Sequence, residues 1–251
     1  MFFNKLPLFH KKSFVSAVIA AGGKSERMGK DKLFIDICGI PAIAHTIIAF
    51  QNCPVINEIV IVSSESNIPK INEIKQIFNL NKISKIVIGG ENRTKSVFNG
   101  IEAVSPKADF VAIHDGARVA VTPKQISDVT ALAQKTGAAL LAVPVKDTIK
   151  LQKNGFVEKT VPRDEILAAQ TPQVFDLSLI KGALSNAISS NLNITDDCSA
   201  VEIIGGKISV CPGSYSNIKL TTIEDVAIAE NFIREQLISE KFKNSPSNSN
   251  K

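Results

Sequence analysis

The residues with the clearest chemical potential stand near the front of the chain, in Ala20-Ala21-Gly22-Gly23-Lys24-Ser25-Glu26-Arg27-Met28-Gly29-Lys30-Asp31-Lys32. Small residues and adjacent glycines let backbone N–H groups come close to an anion, because no Cβ stands in the way. Lys24, Arg27 and Lys32 set positive side chains around those glycines. The combination suits a polyphosphate. Its spacing is neither G-x-x-x-x-G-K-[ST] nor G-x-G-x-x-G. Glycines alone fit a strand-to-turn junction with solvated charges better, and it is Arg27 and Lys32, so close behind them, that favour a nucleotide.

A second cluster is His114-Asp115-Gly116-Ala117-Arg118. A carboxylate just after an apolar run, with glycine next and an arginine three residues on, suits metal-assisted phosphate chemistry. Asp115 can approach a divalent cation carried by a triphosphate, or a substrate hydroxyl. Arg118 can orient Asp115 or meet a substrate phosphate. His114 has no histidine partner nearby and reads as a hydrogen-bonded structural residue. In Gly89-Gly90-Glu91-Asn92-Arg93-Thr94-Lys95-Ser96-Val97 a tight glycine turn frees backbone groups for the edge of a base, and Ser96 lies one helical turn further on. Thr195-Asp196 reads as a helix N-cap. Thr221 or Thr222 reads as another, with Glu224 and Asp225 in the first turn behind it.

These residues must be held by something. Apolar runs at 14–19, 58–63, 85–88, 110–113 and 138–143 predict strands. Between them, helical spacing covers 67–78, 93–104 and 124–135, and a helix also follows Gly39-Ile40-Pro41, with Pro41 at its first position. Residues 32–37 read as a short extended piece. Strands alternating with helices of this length predict an α/β fold, a Rossmann-like doubly wound and mostly parallel sheet. Ligands of such sheets lie beyond the carboxyl ends of the strands. The opening loop, Gly89-Gly90 and His114-Asp115 all fall there, so three separate loops face one crevice.

The rhythm breaks at Val145. Residues 145–151 and 155–161 read as two strands joined around Lys153-Asn154-Gly155, a hairpin turn, and the pair predicts a projecting arm covering about 145–172. A hairpin covering the sheet edge would read the same. Alternation resumes with a helix at 177–190, the segment 196–204, a strand at 207–211 and a last helix from 222 to about 238. One domain is expected over 14–238, with an N-terminal extension at 1–13 and a disordered polar tail at 239–251.

Composition bounds the rest. The 251 residues, 44% of them hydrophobic, can bury a full core. No run approaches the roughly 18 apolar residues of a membrane span. Residues 1–13 lack the apolar core and small-residue cleavage site of a secretory signal. The net charge of +5 comes from Lys and Arg interspersed with Asp and Glu, and without aromatic–basic interleaving this argues against nucleic acid. Cys38, Cys53, Cys198 and Cys211 show no C-x-x-C spacing, so reduced thiols in a cytoplasm are expected.

The A-A-G-…-R-M-G-…-K loop resembles that of sugar-phosphate nucleotidyltransferases. Within them, the G-G-x-x-R-x-x-S segment at Gly89, H-D-G-A-R at His114, T-P-Q-V-F at Thr171, T-D-D at Thr195 and N-I-K-L-T at Asn217 resemble the cytidylyltransferases acting on 2-C-methyl-D-erythritol 4-phosphate in the non-mevalonate isoprenoid pathway. The likeness runs from about residue 14 to 234. Between Gly22 and Arg27 the loop is one residue longer than the family's usual form, a length also seen in the guanylyltransferase that builds molybdenum cofactor. The resemblance implies a homodimer formed through the arm, with CTP, a polyol phosphate and Mg²⁺ or another divalent cation as companions. It implies catalytic roles for Arg27, Lys32 and Asp115, Asp115 also meeting the metal. Nucleotide contacts would come from Ala20, Ala21, Gly22, Gly23, Arg27 and Lys32, then from Gly90, Glu91, Arg93 and Ser96, and finally from Asp115 and Gly116. The acceptor would meet Arg118, Thr148, Arg163, Thr171, Thr195 and Lys219, with Arg163 acting across the dimer interface. A cytidylyltransferase for another alditol phosphate, such as ribitol 5-phosphate, or a non-catalytic CTP-binding protein would share much of this pattern.

Overall fold

A computed structural model describes residues 12–22 and 31–244. The first apolar run forms β1 (Val15–Ala21), and a short hairpin of β2 (Asp36–Ile37) and β3 (Ile40–Pro41) leads into α1 (Ala42–Asn52). Then come β4 (Glu58–Ser63), α2 (Ile68–Ile77), β5 (Ile83–Ile88), α3 (Arg93–Ala103), β6 (Phe110–Asp115), α4 (Pro123–Thr136) and β7 (Ala138–Pro144). The arm is β8 (Lys150–Lys153) and β9 (Phe156–Thr160). The chain returns through β10 (Leu167–Asp176), α5 (Leu177–Ser189), α6 (Asp197–Ile203), β11 (Ser209–Pro212) and α7 (Glu224–Asn244).

Among the described residues seven strands form one sheet in the order β11-β7-β10-β6-β1-β4-β5. Pairs β1·β4, β1·β6, β4·β5 and β11·β7 are parallel. The α/β expectation holds, and the sheet is mostly parallel.

Side chains alternate across it as strand geometry requires. From β1, Val15, Ala17 and Ile19 join Ile43, Ile47 and Phe50 of α1 and Ile126 and Val129 of α4 on one face. Val18 faces the other way, into Val97 and Ile101 of α3 and Ile180 and Leu184 of α5. Two layers of helix therefore bury both faces, which is why the central strands read as continuous apolar runs.

The structure departs from the sequence expectations at four places. Residues 167–172, assigned to the arm, belong to β10, which runs antiparallel between β6 and β7. The chain leaves β7 through the arm and doubles back beside it, and that reversal makes the pairing antiparallel. Residues 32–34 are a 3-10 turn rather than an extended piece, capped by Asp31 Oδ1 accepting from Leu33 N–H at 3.2 Å. Pro41 stands one residue before α1. Helix α7 continues to Asn244, so residues 239–244 are helical, while the rest of the tail and residues 1–11 lie outside the described part. The hairpin turn is as expected, with Asn154 and Gly155 at φ of 52° and 85°, the left-handed pair that such a turn demands.

Candidate active site

Register fixes the core of the site. β1 and β6 pair Ala20 with Asp115, and β1 and β4 pair Ala21 with Ser63. The carboxyl ends of these strands thus finish level at one rim. A cleft of about 440 Å³ opens there. Ala20 and Gly22 line it from the end of β1, and Gly90, Glu91, Asn92, Arg93 and Ser96 from the β5–α3 turn. Asp115 and Ala117 line it from the end of β6, and Lys32, Leu33 and Lys219 close the rest.

The β5–α3 turn is built by its own hydrogen bonds. Asn92 Oδ1 accepts from Lys95 N–H at 2.9 Å and caps α3. Ser96 Oγ accepts from Gly90 N–H at 2.9 Å and donates to the Asn92 carbonyl at 2.8 Å. A Cβ on Gly90 would lie 2.5 Å from Lys95 Cβ, so only glycine allows the turn to close this tightly.

Lys32 reaches the rim from a turn anchored behind it. Asn67 Nδ2 donates to Asp31 Oδ2 at 2.6 Å, which ties the capping carboxylate to the residue preceding α2.

Lys219 is brought in by stitching of the segment before α7. Leu220 N–H donates to the Ala117 carbonyl at 2.9 Å, Asn217 Nδ2 donates to the Thr171 carbonyl at 2.9 Å, and Arg118 Nη1 donates to the Asn217 carbonyl at 2.7 Å. Lys219 Nζ then lies 2.7 Å from Asp115 Oδ2.

Asp115 gathers positive charge from three sides. Oδ1 accepts from Arg93 Nη2 at 3.3 Å and Nε at 3.4 Å, Oδ2 accepts from Lys219, and Arg118 Nε stands 4.0 Å from Oδ2. Burial alone would raise the Asp115 carboxyl, but Arg93 and Lys219 beside it hold it well below the usual carboxylate range. Arg93 also makes a two-pronged bond to Asp197, Nη1 to Oδ1 at 2.9 Å and Nη2 to Oδ2 at 2.7 Å. Burial opposes the charge on Arg93, and Asp197 with Asp115 overcomes it, holding the guanidinium protonated above its ordinary range.

His114 supports the same strand end. His114 Nε2 lies 3.3 Å from the Arg118 carbonyl, which only accepts, so the ring proton sits there. Nδ1 then accepts from Thr171 Oγ1 at 2.9 Å, the same oxygen accepting from Asp115 N–H at 3.1 Å. The ring is wholly buried, and burial drives its pKa down to about 3, so it is neutral.

Of the residues singled out in the sequence, Ala20, Gly22, Lys32, Gly90, Glu91, Arg93, Ser96, Asp115 and Lys219 meet at this cleft. Gly23 and Arg27 lie outside the described residues. Ala21 is buried in β1, and Gly116 N–H is bonded to the Ala20 carbonyl at 2.9 Å. Arg118 is spent on the backbone, with Nη2 on the Ala169 carbonyl and Nη1 on that of Asn217. Its Nε is buried without a hydrogen-bond partner, 4.0 Å from Asp115 Oδ2. Thr171, expected to touch substrate, is enclosed and uses its hydroxyl to hold Asp115 and His114. Thr148 and Arg163 are exposed beside the β8–β9 hairpin and are not among the residues lining the cleft; Arg163 Nη1 donates to the Lys146 carbonyl at 3.1 Å. Thr195 is exposed, and the cap of α6 is Asp196, whose side chain accepts from Ser199 N–H.

Asp197 was missed. Its only sequence signal was a second acidic residue behind the Thr195-Asp196 cap, and its partner lies 104 residues away. Among the described residues no group of three or more His, Cys, Asp or Glu could hold a metal by itself. Glu91 and Asp115 are the carboxylates that line the cleft, and both oxygens of Asp115 are held by Arg93 and Lys219. No helix is long and apolar enough to cross a membrane among the described residues.

Comparison with known proteins agrees with this geometry. A family model described as 2-C-methyl-D-erythritol 4-phosphate cytidylyltransferase matches residues 15–235. Proteins of that name from Halalkalibacterium halodurans and Dehalococcoides mccartyi are 45% and 40% identical to this chain over 223 residues, covering 88% of it and 97% and 96% of themselves. A solved 4-diphosphocytidyl-2C-methyl-D-erythritol synthase from Anaerococcus prevotii matches with a TM-score of 0.80 at 29% identity, covering 89% of this chain and 97% of that one. A 2-C-methyl-D-erythritol 4-phosphate cytidylyltransferase from Thermus thermophilus matches at 0.72 and 26%, covering 86% and 98%. With sequence, fold and cleft in agreement, the chain belongs to the 2-C-methyl-D-erythritol 4-phosphate cytidylyltransferase family of nucleotidyltransferases.

Proposed function

We propose that the chain joins the cytidylyl group of CTP to the phosphate of 2-C-methyl-D-erythritol 4-phosphate, giving 4-diphosphocytidyl-2-C-methyl-D-erythritol and pyrophosphate. The observation that carries this reading is the convergence of Lys32, Arg93, Asp115 and Lys219 on one rim cleft beside Gly22 and Gly90. An oxygen of the acceptor phosphate attacks the α-phosphorus of CTP. The new P–O bond forms as the bond from the α-phosphorus to the bridging oxygen breaks, and pyrophosphate carries the electron pair away. A phosphate monoester is already anionic near neutral pH, so the reaction needs no general base. What it needs is relief from the repulsion of two anions and stabilisation of charge growing on the leaving group.

Lys32 and Arg27 serve the α-phosphate and the departing pyrophosphate in this reading, and Lys219 holds the acceptor phosphate. The amide groups of the β5–α3 turn face the base. Asp115 orients Lys219 and would be the protein carboxylate facing Mg²⁺ carried by the triphosphate; bound there, the cation would neutralise phosphate charge.

The exposed arm serves a second copy. Every residue of β8 and β9 is exposed, including Phe156 at 79% and Val157 at 64%. Thr148 and Arg163 ride on the same arm outside their own cleft, a placement that suits donation to a partner's site. The four unpaired cysteines fit a reducing cytoplasm.

Pyrophosphate release by the purified chain decides the matter. CTP with methylerythritol phosphate should turn over, while GTP, or ribitol 5-phosphate as acceptor, should give little product. Preference for ribitol 5-phosphate would replace the acceptor, and CTP binding without turnover would replace the enzyme with a binding protein.

A further inference from the structure

Asp197 is a carboxylate with no exposed surface, at the first residue of α6, in a part of the chain otherwise remote from the opening loop. Both its oxygens are bonded to Arg93, the first residue of α3. Arg93 uses one edge of its guanidinium, Nη1 and Nη2, for Asp197, and the other, Nε and Nη2, for Asp115 Oδ1. A guanidinium is a rigid plane, so fixing one edge fixes the other. We infer that Asp197 is a positioning residue for cytidylyl transfer, aiming Arg93 so that Asp115 keeps one oxygen for Arg93 and the other for Lys219. This inference rests on the function proposed above.

The charges argue in the same direction. Arg93 lines the cleft with a third of its side chain exposed. A lone guanidinium there would be drawn to the triphosphate and would swing away from Asp115. With Asp197 engaged on two bonds, Arg93 arrives at the cleft with its charge already shared between two carboxylates. Asp115 in turn cannot rotate onto Lys219 with both oxygens, and the Lys219 ammonium keeps donors for an incoming phosphate. Burial pushes the Asp197 carboxyl up, and the two N–H bonds from Arg93 work against that rise. An arrangement serving only to fasten α6 to α3 would be met by apolar contact at lower cost, because burying two charges is expensive.

The test uses the full chain with CTP and methylerythritol phosphate, and wild-type turnover checks the underlying reading first. If the wild type makes no product, that reading fails whatever the variants do. Given turnover, Asp197→Asn should lower kcat at least tenfold per folded molecule and leave KM for CTP within about threefold, because the Gly90–Ser96 and Asn92–Lys95 bonds of the base-side turn stay intact. Arg93→Gln should lower kcat to the same degree and, because Arg93 itself lines the cleft, raise KM for CTP. The double variant Asp197→Asn/Arg93→Gln should fall no further than either single change, since both interrupt one chain of contacts. Asp197→Asn folded and with wild-type kcat, or losses that simply add in the double variant, would overturn the inference. If Asp197→Asn does not fold because Arg93 is left uncompensated, Asp197→Glu, which keeps the charge and displaces the carboxylate that aims Arg93, carries the test. Folded with reduced kcat it supports the assignment. Folded with full kcat, or unfolded, it assigns the pair to the architecture alone.

Discussion

Lys219 Nζ and Asp115 Oδ2 lie 2.7 Å apart across 104 residues of sequence, and the contact joins the end of β6 to the segment that precedes α7. Asp115 is nearly enclosed, at 12% side-chain exposure, whereas Lys219 is 39% exposed and open to the cleft. The pair is therefore asymmetric: one partner is fixed and the other can turn part of its ammonium to a ligand. Lys219→Met keeps the aliphatic stem and removes the charge. It should lower kcat/KM for the acceptor by on the order of 10²-fold, the scale for losing a donor to developing charge. Steady-state kinetics at varied methylerythritol phosphate check it, and an unchanged kcat/KM would remove Lys219 from phosphate binding.

Lys32 stands on a turn whose cap, Asp31, is anchored by Asn67. Substituting Lys32 should leave that turn standing. Lys32→Ala is expected to lower kcat by on the order of 10²-fold with little change in melting temperature. A variant with near wild-type kcat would place Lys32 outside the mechanism.

The parallel strands were legible because apolar runs form their centres, and the three loops at their carboxyl ends followed from fold geometry. β10 was not. Its sequence carries Gln170, Thr171 and Gln173 around Pro172 in its middle, polar residues that look like a loop and are in fact buried. They are tolerated because each finds a partner from afar: Gln170 Nε2 donates to the Ser214 carbonyl at 2.8 Å, and Gln173 bonds both Asp196 and the Cys198 N–H. Such partners cannot be read from local pattern. Asp197 escaped for the same reason, its role being defined wholly by Arg93. The turn of residues 217–220 gave Lys219 away by resemblance, but only the bonds to Ala117, Thr171 and Arg118 explain how it reaches Asp115.

Gly100 lies where α3 crosses the sheet, and a Cβ there would meet Val18 Cγ1 at 2.5 Å and Val62 Cγ2 at 2.6 Å. Two effects of Gly100→Ala compete. Helix propensity favours alanine by about 1 kcal/mol, and overpacking a filled core costs about 1–3 kcal/mol. Both valines are buried and β-branched, with little room to turn away. Packing should win, with a net loss of about 1 kcal/mol read from urea unfolding. A stabilised variant would show that α3 can lift off the sheet without cost.

His114 makes stability depend on pH in a definite direction. In the unfolded chain the imidazole takes up a proton near its ordinary value of 6.5, whereas in the folded protein burial delays this to about 3. Between those values the unfolded state binds more protons, so acid favours unfolding. The contribution is fully present above about 6.5 and is lost progressively as pH falls toward 3. The steepest loss attributable to this one group is roughly 1.4 kcal/mol per pH unit. His45 adds a slope of the same sign, since burial lowers its pKa despite the bond to the Ile37 carbonyl, so the comparison must be between proteins. His114→Gln, which cannot titrate, should show a shallower fall in unfolding free energy between pH 6.5 and 4.5 than the wild type, even if its stability at pH 7.5 is lower. Equal slopes in urea titrations of the two proteins would mean that the His114 ring is protonated in the folded state, and that the Thr171–His114–Arg118 chain of hydrogen bonds runs with a different proton order.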